Sequence, residues 1–168
     1  MILALDVHYR VTDATVAGVL FAQWDDAQAA ARHALVCEDI ADYVPGEFYR
    51  RELPCIHRLL DTLGEMTLSY IVIDGYVHLG EEQRPGLGAH LWESLGGRVP
   101  VIGVAKTRFA GTPAEAELRR GGSDRPLYVS AAGLPLSEAR EAIARMLGAH
   151  RLPDLLKLVD HLARGLDG

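Results

Sequence analysis

Cysteine is scarce here: Cys37 and Cys55 are the only two in 168 residues, and their spacing fits no metal-ligand pattern. Two thiols in a chain without a secretion signal are expected to be reduced core residues rather than a disulfide. Long apolar runs are absent as well, and none approaches the roughly 20 residues of a membrane span. The opening Met-Ile-Leu-Ala-Leu-Asp meets an acid too early for a signal peptide, so the expectation is a cytoplasmic protein with no membrane attachment. No Gly-x-Gly-x-x-Gly follows the first apolar run, which removes support for a dinucleotide-binding fold. Ser130 lacks the context of a nucleophile elbow, and His33, His57, His150 and His161 stand alone without triad spacing. Neither a repeat nor a domain boundary is visible. Residues 1–168 are therefore expected to form one domain, of a length that buries a sizeable core.

Basic charge is also in the minority. The net charge of −6 argues against a large, non-specific phosphate-neutralising surface. A site that gathers carboxylates around a cation is acidic before the cation binds, however, so the net charge does not exclude a nuclease. Local cations remain at Arg50-Arg51, Arg84, Lys106, Arg108 and Arg119-Arg120, with solvated surface the default for each.

What is present is an alternation of β-rich and helical segments. Residues 2–9, 14–23 and 29–37 read as an antiparallel meander joined by short turns. Asp42-Tyr-Val-Pro-Gly46 reads as a loop. Ile56, Leu59, Leu60 and Leu63 recur at helical spacing, with Pro54 in the first turn and Gly64 as a stop. Strands are expected over 68–74, 99–105 and 126–130, a helix near 87–96, and a turn-rich insertion with one short strand over 109–125. Ser137 is positioned to cap a helix with Ala139, Ala142, Ile143, Met146 and Leu147 on its apolar face. A last helix follows Pro153, with Leu155, Leu158, Val159 and Leu162 on one side. The order predicts an α/β domain with a central mixed sheet flanked by helices, compatible with an RNase H-like arrangement.

Two acids stand in apolar strands, where an isolated carboxylate carries a substantial desolvation cost. Asp6 interrupts Ile2-Leu-Ala-Leu-Asp6-Val, and Asp74 ends Tyr70-Ile-Val-Ile-Asp74. A carboxylate capping a turn is the ordinary explanation of either alone; two adjacent parallel strands would bring both to one region. Glu52 near a helix start is explained by free amides or the helix dipole. Three converging carboxylates would suit Mg²⁺, which takes oxygen ligands, keeps several waters and serves phosphodiester chemistry. Lys106 could offset developing negative charge, with an ion pair to one of the acids as the equally ordinary alternative. His8 shares the face of Asp6 by strand alternation.

Several segments in order resemble the endonuclease V family. They are Leu5-Asp6-Val7, Asp42-Tyr-Val-Pro-Gly46 with Tyr49-Arg-Arg-Glu52, Val72-Ile-Asp-Gly75, Gly86-Leu-Gly-Ala-His90, Ile102-Gly-Val-Ala-Lys106, Pro126-Leu-Tyr-Val-Ser130 and Arg151-Leu-Pro153. The resemblance covers nearly the whole chain. It implies an RNase H-like fold and Mg²⁺-dependent cleavage, with Mn²⁺ the alternative, of DNA or RNA one nucleotide 3′ of a deaminated base such as inosine. Carried over by position, it implies Asp6, Glu52 and Asp74 as metal ligands and Lys106 as the active-site lysine. Tyr43, Val44, Pro45 and Gly46 match the wedge that enters the duplex, His90 and Asp160 positions near the substrate. A rigid Tyr-Val-Pro-Gly loop can separate bases, with Tyr43 stacking where a nucleotide has flipped out.

The chain departs from the family pattern after Asp74. Val77 replaces a glycine, the family's His-Pro-Arg run is missing, Glu81 and Glu82 are added, and His78 and Arg84 are the candidate stand-ins. After Ser130 the family's Pro-Gly-His-Arg is replaced by Ala131-Ala-Gly-Leu-Pro135. A module that binds nucleic acid with little or no hydrolysis, and an α/β enzyme acting on a small substrate, are the rival readings.

Overall fold

The computed structural model describes residues 1–166. Three strands open the chain: β1 (Ile2–Tyr9), β2 (Ala14–Phe21) and β3 (Ala31–Cys37). Helix α1 (Tyr49–Thr62) leads to β4 (Tyr70–Asp74), then to a small hairpin of β5 (His78–Leu79) and β6 (Arg84–Pro85). Helix α2 (Leu87–Ser94), β7 (Val101–Ala105), a 3₁₀ turn (Ala114–Ala116), β8 (Glu117–Leu118) and β9 (Leu127–Ala132) follow. Helices α3 (Leu136–Arg145) and α4 (Asp154–Ala163) complete the order.

The main sheet has seven strands in the order β3-β2-β1-β4-β7-β9-β8. Strands β1, β4 and β7 run parallel at its centre, with antiparallel neighbours on both sides. The meander, mixed sheet and flanking helices match the sequence-based expectation. Apolar alternation divides the core into two layers. On one face Ile2, Ala4, Val72, Ile102 and Val129 pack against Ile143, Leu155 and Val159 from α3 and α4. On the other, Leu3, Leu5, Ile71 and Ile73 meet Cys55, Ile56, Leu59 and Leu91 from α1 and α2.

Several local expectations need correction. Pro54 lies inside α1, a full turn past its start, because the helix begins at Tyr49 rather than beside the proline. Pro54 leaves the Arg50 carbonyl without its helical donor, and the exposed surface there allows water to serve instead. Ser137 makes no capping bond, since Pro135 holds the cap position and Ser137 falls within the first turn. Leu147 lies beyond α3 and is exposed, while Leu156 and Ala163 join the buried side of α4. Residues 78–85 form a small hairpin for which no strand is expected from sequence, because two-residue strands carry no periodicity.

Candidate metal and nucleic-acid site

The parallel register aligns Ile2–Leu5 with Tyr70–Ile73, so Asp6 and Asp74 emerge together at one end of the sheet. Alternation directs Asp6 to the face covered by α4, where Ile2 and Ala4 also point. Helix α4 presents Asp160 from above that face. Asp6, Asp74 and Asp160 each offer a carboxylate oxygen, and these oxygens lie within 4.8 Å of one another. Lys106, one residue beyond β7, donates from Nζ to Asp74 Oδ2 at 2.9 Å and to Asp160 Oδ1 at 3.2 Å. Arg164, one turn along α4, pairs with Asp160 Oδ2 at 3.1 Å.

Glu52 reaches the same region from α1, on the opposite side of the sheet. It shares a crevice with Asp6, Asp74 and Leu87 but is not part of the set within 4.8 Å. Asp160, expected at a position near the substrate, stands among the carboxylates. His8 shares the Asp6 face and is outside that set.

The electrostatics follow from crowding. Burial, reinforced by Asp74, pushes the Asp6 carboxyl up to about 7. Burial, with Asp6 and Asp74 adding repulsion, pushes Glu52 up to about 8. Asp160 moves the other way: Lys106 and Arg164 outweigh its burial and hold it below the usual carboxylate range. Burial opposes the Lys106 charge, but Asp74 and Asp160 outweigh that and hold the ammonium above its ordinary value. Without a cation, the acids therefore repel one another more than one lysine compensates. An all-oxygen, over-negative donor set of this kind fits a hard divalent cation.

The turn after Asp74 depends on Gly103 of β7. A Cβ there would meet the Gly75 carbonyl oxygen at 2.5 Å and Ser130 Oγ at 2.7 Å. Ser130 Oγ accepts the Val77 amide at 2.9 Å, and Tyr76 donates its hydroxyl hydrogen to the Thr107 carbonyl at 2.8 Å. The loops carrying Asp74 and Lys106 are thereby joined. Arg151 secures the lysine's own backbone by donating to the Lys106 carbonyl at 3.1 Å.

A pocket of about 210 Å³ opens beside the carboxylates, lined by Gly46, Tyr49, Glu52, Asp74, Tyr76 and Leu87 among others. The 42–46 loop borders it through Gly46. Tyr43 and Val44 are exposed, and Tyr43 meets Phe48 edge-on with ring centroids 5.3 Å apart. His90 is not among the lining residues; it stacks on Tyr49 at 3.7 Å and supports the wall from behind. Leu79 and Pro85 of the hairpin also line this pocket, whereas His78 faces a neighbouring cavity with Ser130 and Arg84 an open groove with Glu81. The stand-ins expected from sequence are thus not gathered at the carboxylates. The wall-forming place of Tyr49 is not visible in the Tyr49-Arg-Arg-Glu52 segment, because it depends on a stacking partner 41 positions away.

The seven-stranded arrangement has close counterparts. Human ENDOV, 20% identical, superposes over 98% of this chain and 82% of its own, with a TM-score of 0.78. Endonuclease V of Ciona intestinalis, solved with a 24mer DNA containing an inosine followed by a ribo-adenosine, is 17% identical. That match covers 98% of this chain and 84% of the other, with a TM-score of 0.79. The fold is RNase H-like. Among sequence relatives, Endonuclease V of Xanthomonas campestris pv. campestris strain B100 is 34% identical over 141 residues, covering 72% of this chain and 58% of the relative. The Nostoc punctiforme Endonuclease V is 28% identical over 141 residues, covering 72% and 62%. The chain thus spans less than two thirds of these relatives' lengths. The family profile described as Endonuclease V matches residues 1–124, which carry β1, α1, β4 and β7 with Asp6, Glu52, Asp74 and Lys106. With that match running through the segments that carry Asp6, Glu52, Asp74 and Lys106, and ending before α4 and Asp160, the chain belongs to the Endonuclease V family.

Proposed function

We propose that this chain is an Mg²⁺-dependent endonuclease that cleaves DNA or RNA 3′ to a deaminated base such as inosine, working as a single domain. The observation that carries the reading is the convergence of Asp6, Asp74 and Asp160 beside the Lys106 ammonium. Asp6 and Asp74 would hold the cation, with Asp160 and Glu52 approaching from opposite faces of the sheet to complete the donor set. When bound, such an ion supplies Lewis-acid stabilisation of phosphoryl oxygens and a water of lowered pKa. Mn²⁺ satisfies the same oxygen donors.

The chain's own groups account for the other requirements. Lys106 keeps its proton and places a fixed positive charge beside Asp74, where it offsets charge developing on a phosphodiester. Tyr43 and Val44 present exposed apolar surface on a loop fixed by Pro45, suited to entering a base stack. The 210 Å³ pocket between that loop and the carboxylates is placed to receive the base so displaced. Leu79 and Pro85, from the segment that departs from the family pattern, help line that pocket, so the preferred base is set in part by this chain's own hairpin.

A nicking assay on inosine, uracil and undamaged DNA and RNA, each with Mg²⁺, Mn²⁺ or EDTA, tests the proposal. Cleavage 3′ to inosine that requires the metal and disappears in Asp6→Ala and Asp74→Ala supports it. Metal-independent cleavage, or cleavage unchanged in those variants, overturns the assigned site. Binding of the oligonucleotides without turnover points to the non-hydrolytic alternative.

A further inference from the structure

The turn between β8 and β9 carries Arg119, Arg120 and Arg125 within seven residues, and the three are used differently. Arg120 is turned inward: its guanidinium donates to the carbonyls of Met146, His150 and Arg151. Gly121 (φ +61°) lies so close to the His150 backbone that a Cβ there would collide with it. These contacts fasten the turn to the segment just before α4. Arg119 braces the turn by donating to the Asp124 carbonyl at 2.8 Å, yet it remains exposed. Arg125 is exposed as well, and among the described residues neither Arg119 nor Arg125 has a carboxylate within ion-pairing distance.

The position of this turn relative to the carboxylates is fixed by hydrogen bonds. Arg151 donates from one nitrogen to the Lys106 carbonyl at 3.1 Å and to the Pro126 carbonyl at 3.3 Å. Pro126 directly follows Arg125, and the antiparallel register Ala105↔Tyr128 brings the start of β9 alongside the end of β7. The exposed arginines therefore flank Lys106 on the side away from Asp6 and the meander. Exposed cations on an anchored turn, without carboxylate partners and beside an acidic centre that would repel a polyanion elsewhere, are suited to phosphate groups.

We propose that Arg119 and Arg125 form a phosphate-binding flank that holds the backbone of a nucleic-acid strand as it passes the carboxylate site. The identity of the polyanion rests on the function proposed above; the flank itself requires neither a lesion nor hydrolysis. Each phosphate neutralised on duplex DNA contributes about 0.9 to the slope of log affinity against log salt. Arg32, exposed on β3 at the opposite edge of the sheet, provides a control of equal charge.

The test is the affinity of the full chain for a short undamaged DNA duplex in EDTA, by fluorescence anisotropy across a KCl series. Arg125→Gln is expected to reduce the slope by about 0.9, the double variant Arg119→Gln/Arg125→Gln by about 1.8, and Arg32→Gln not at all. Thermal midpoints are compared first, and Arg125→Gln removes no side-chain hydrogen bond found in the structure, so that variant isolates the charge. Unchanged slopes in both arginine variants overturn the flank even if the protein nicks inosine substrates normally. An equal loss in Arg32→Gln overturns it too, by showing that only net charge matters. Failure of the wild-type chain to bind duplex overturns the flank alone, because the nuclease reading is decided separately by the nicking assay on inosine DNA and RNA with metal. Arginine-dependent slopes in a protein that never cleaves leave the flank standing and remove hydrolysis alone.

Discussion

Lys106 and Asp74 lie at the ends of adjacent parallel strands, with the ammonium 2.9 Å from the carboxylate. The same ammonium reaches Asp160 on α4, so one cation links the sheet to the helix above it. Lys106→Met is expected to lower the thermal midpoint in EDTA, by leaving Asp6 and Asp74 without a neighbouring cation and Asp160 with Arg164 alone. Saturating Mg²⁺ should restore most of that loss, while the nicking rate stays at least about tenfold below wild type. Differential scanning fluorimetry with and without Mg²⁺, beside single-turnover cleavage, separates the two effects.

Asp6 and Glu52 hold their protons to about pH 7 and about pH 8 in the folded, cation-free chain, against ordinary values of 3.8 and 4.5. Between those limits the folded state binds more protons than the unfolded one, so stability falls as pH rises. In EDTA the midpoint should decline from about pH 4 to about pH 8 and level off outside that window. Asp6→Asn should flatten much of the decline. A cation reverses the trend, and its affinity should rise by up to about tenfold per pH unit for each proton displaced. Isothermal titration with Mn²⁺ at pH 6 and pH 8 reads this, and a pH-independent affinity would count against the crowded-acid account.

Tyr43 is exposed and touches Phe48 only edge-on. Tyr43→Ala should change stability by less than about 0.5 kcal/mol, as surface substitutions usually do. Nicking of an inosine duplex is expected to fall more than nicking of an inosine single strand, because only the duplex has a stack to open. Equal losses on both substrates contradict a wedge.

His90 stacks on Tyr49 with its ring 3.7 Å away, behind the wall of the 210 Å³ pocket. His90→Ala should raise KM for the lesion oligonucleotide several-fold with a smaller change in kcat. His90→Phe, which keeps a planar partner, should recover most of the affinity. Recovery by Phe assigns the residue a positioning role; its failure indicates a polar contact with substrate.

Gly103 admits the backbone of Gly75 where a methyl group would collide with it. Gly103→Ala should cost about 1–3 kcal/mol and displace the turn that carries Asp74. Metal affinity should fall with stability, a pairing that denaturant titration and Mn²⁺ binding can establish on the same sample.

The sheet was legible because its signals are short-range. Ile2-Leu-Ala-Leu and Tyr70-Ile-Val-Ile announce buried strands, and an acid at the end of each announces a cost that the fold must meet. The relative placement of the acids was less legible. Asp160 sits in an amphipathic helix whose polar face looks like any solvated face, and only docking of α4 over β1 brings it to Asp6. Glu52 in the first turn of α1 is equally ordinary, and its distinction is a proton affinity raised chiefly by burial, with Asp6 and Asp74 from other elements adding to it. The hairpin at 78–85 carried no pattern, since two-residue strands are fixed by their turn and neighbours rather than by alternation.

Asp6 comes from β1, Glu52 from a helix on one face of the sheet and Asp160 from a helix on the other. Those three positions span most of the sequence, and α4 is made after β1, α1, β4 and β7. A growing chain on the ribosome therefore carries Asp6 and Asp74 for much of its synthesis without the carboxylate that closes the set. Damage to either helical layer later in the protein's life has the same effect, because neither layer holds the complete constellation. A misfolded or clipped molecule therefore lacks the full set of acids, and with it whatever chemistry the assembled site performs.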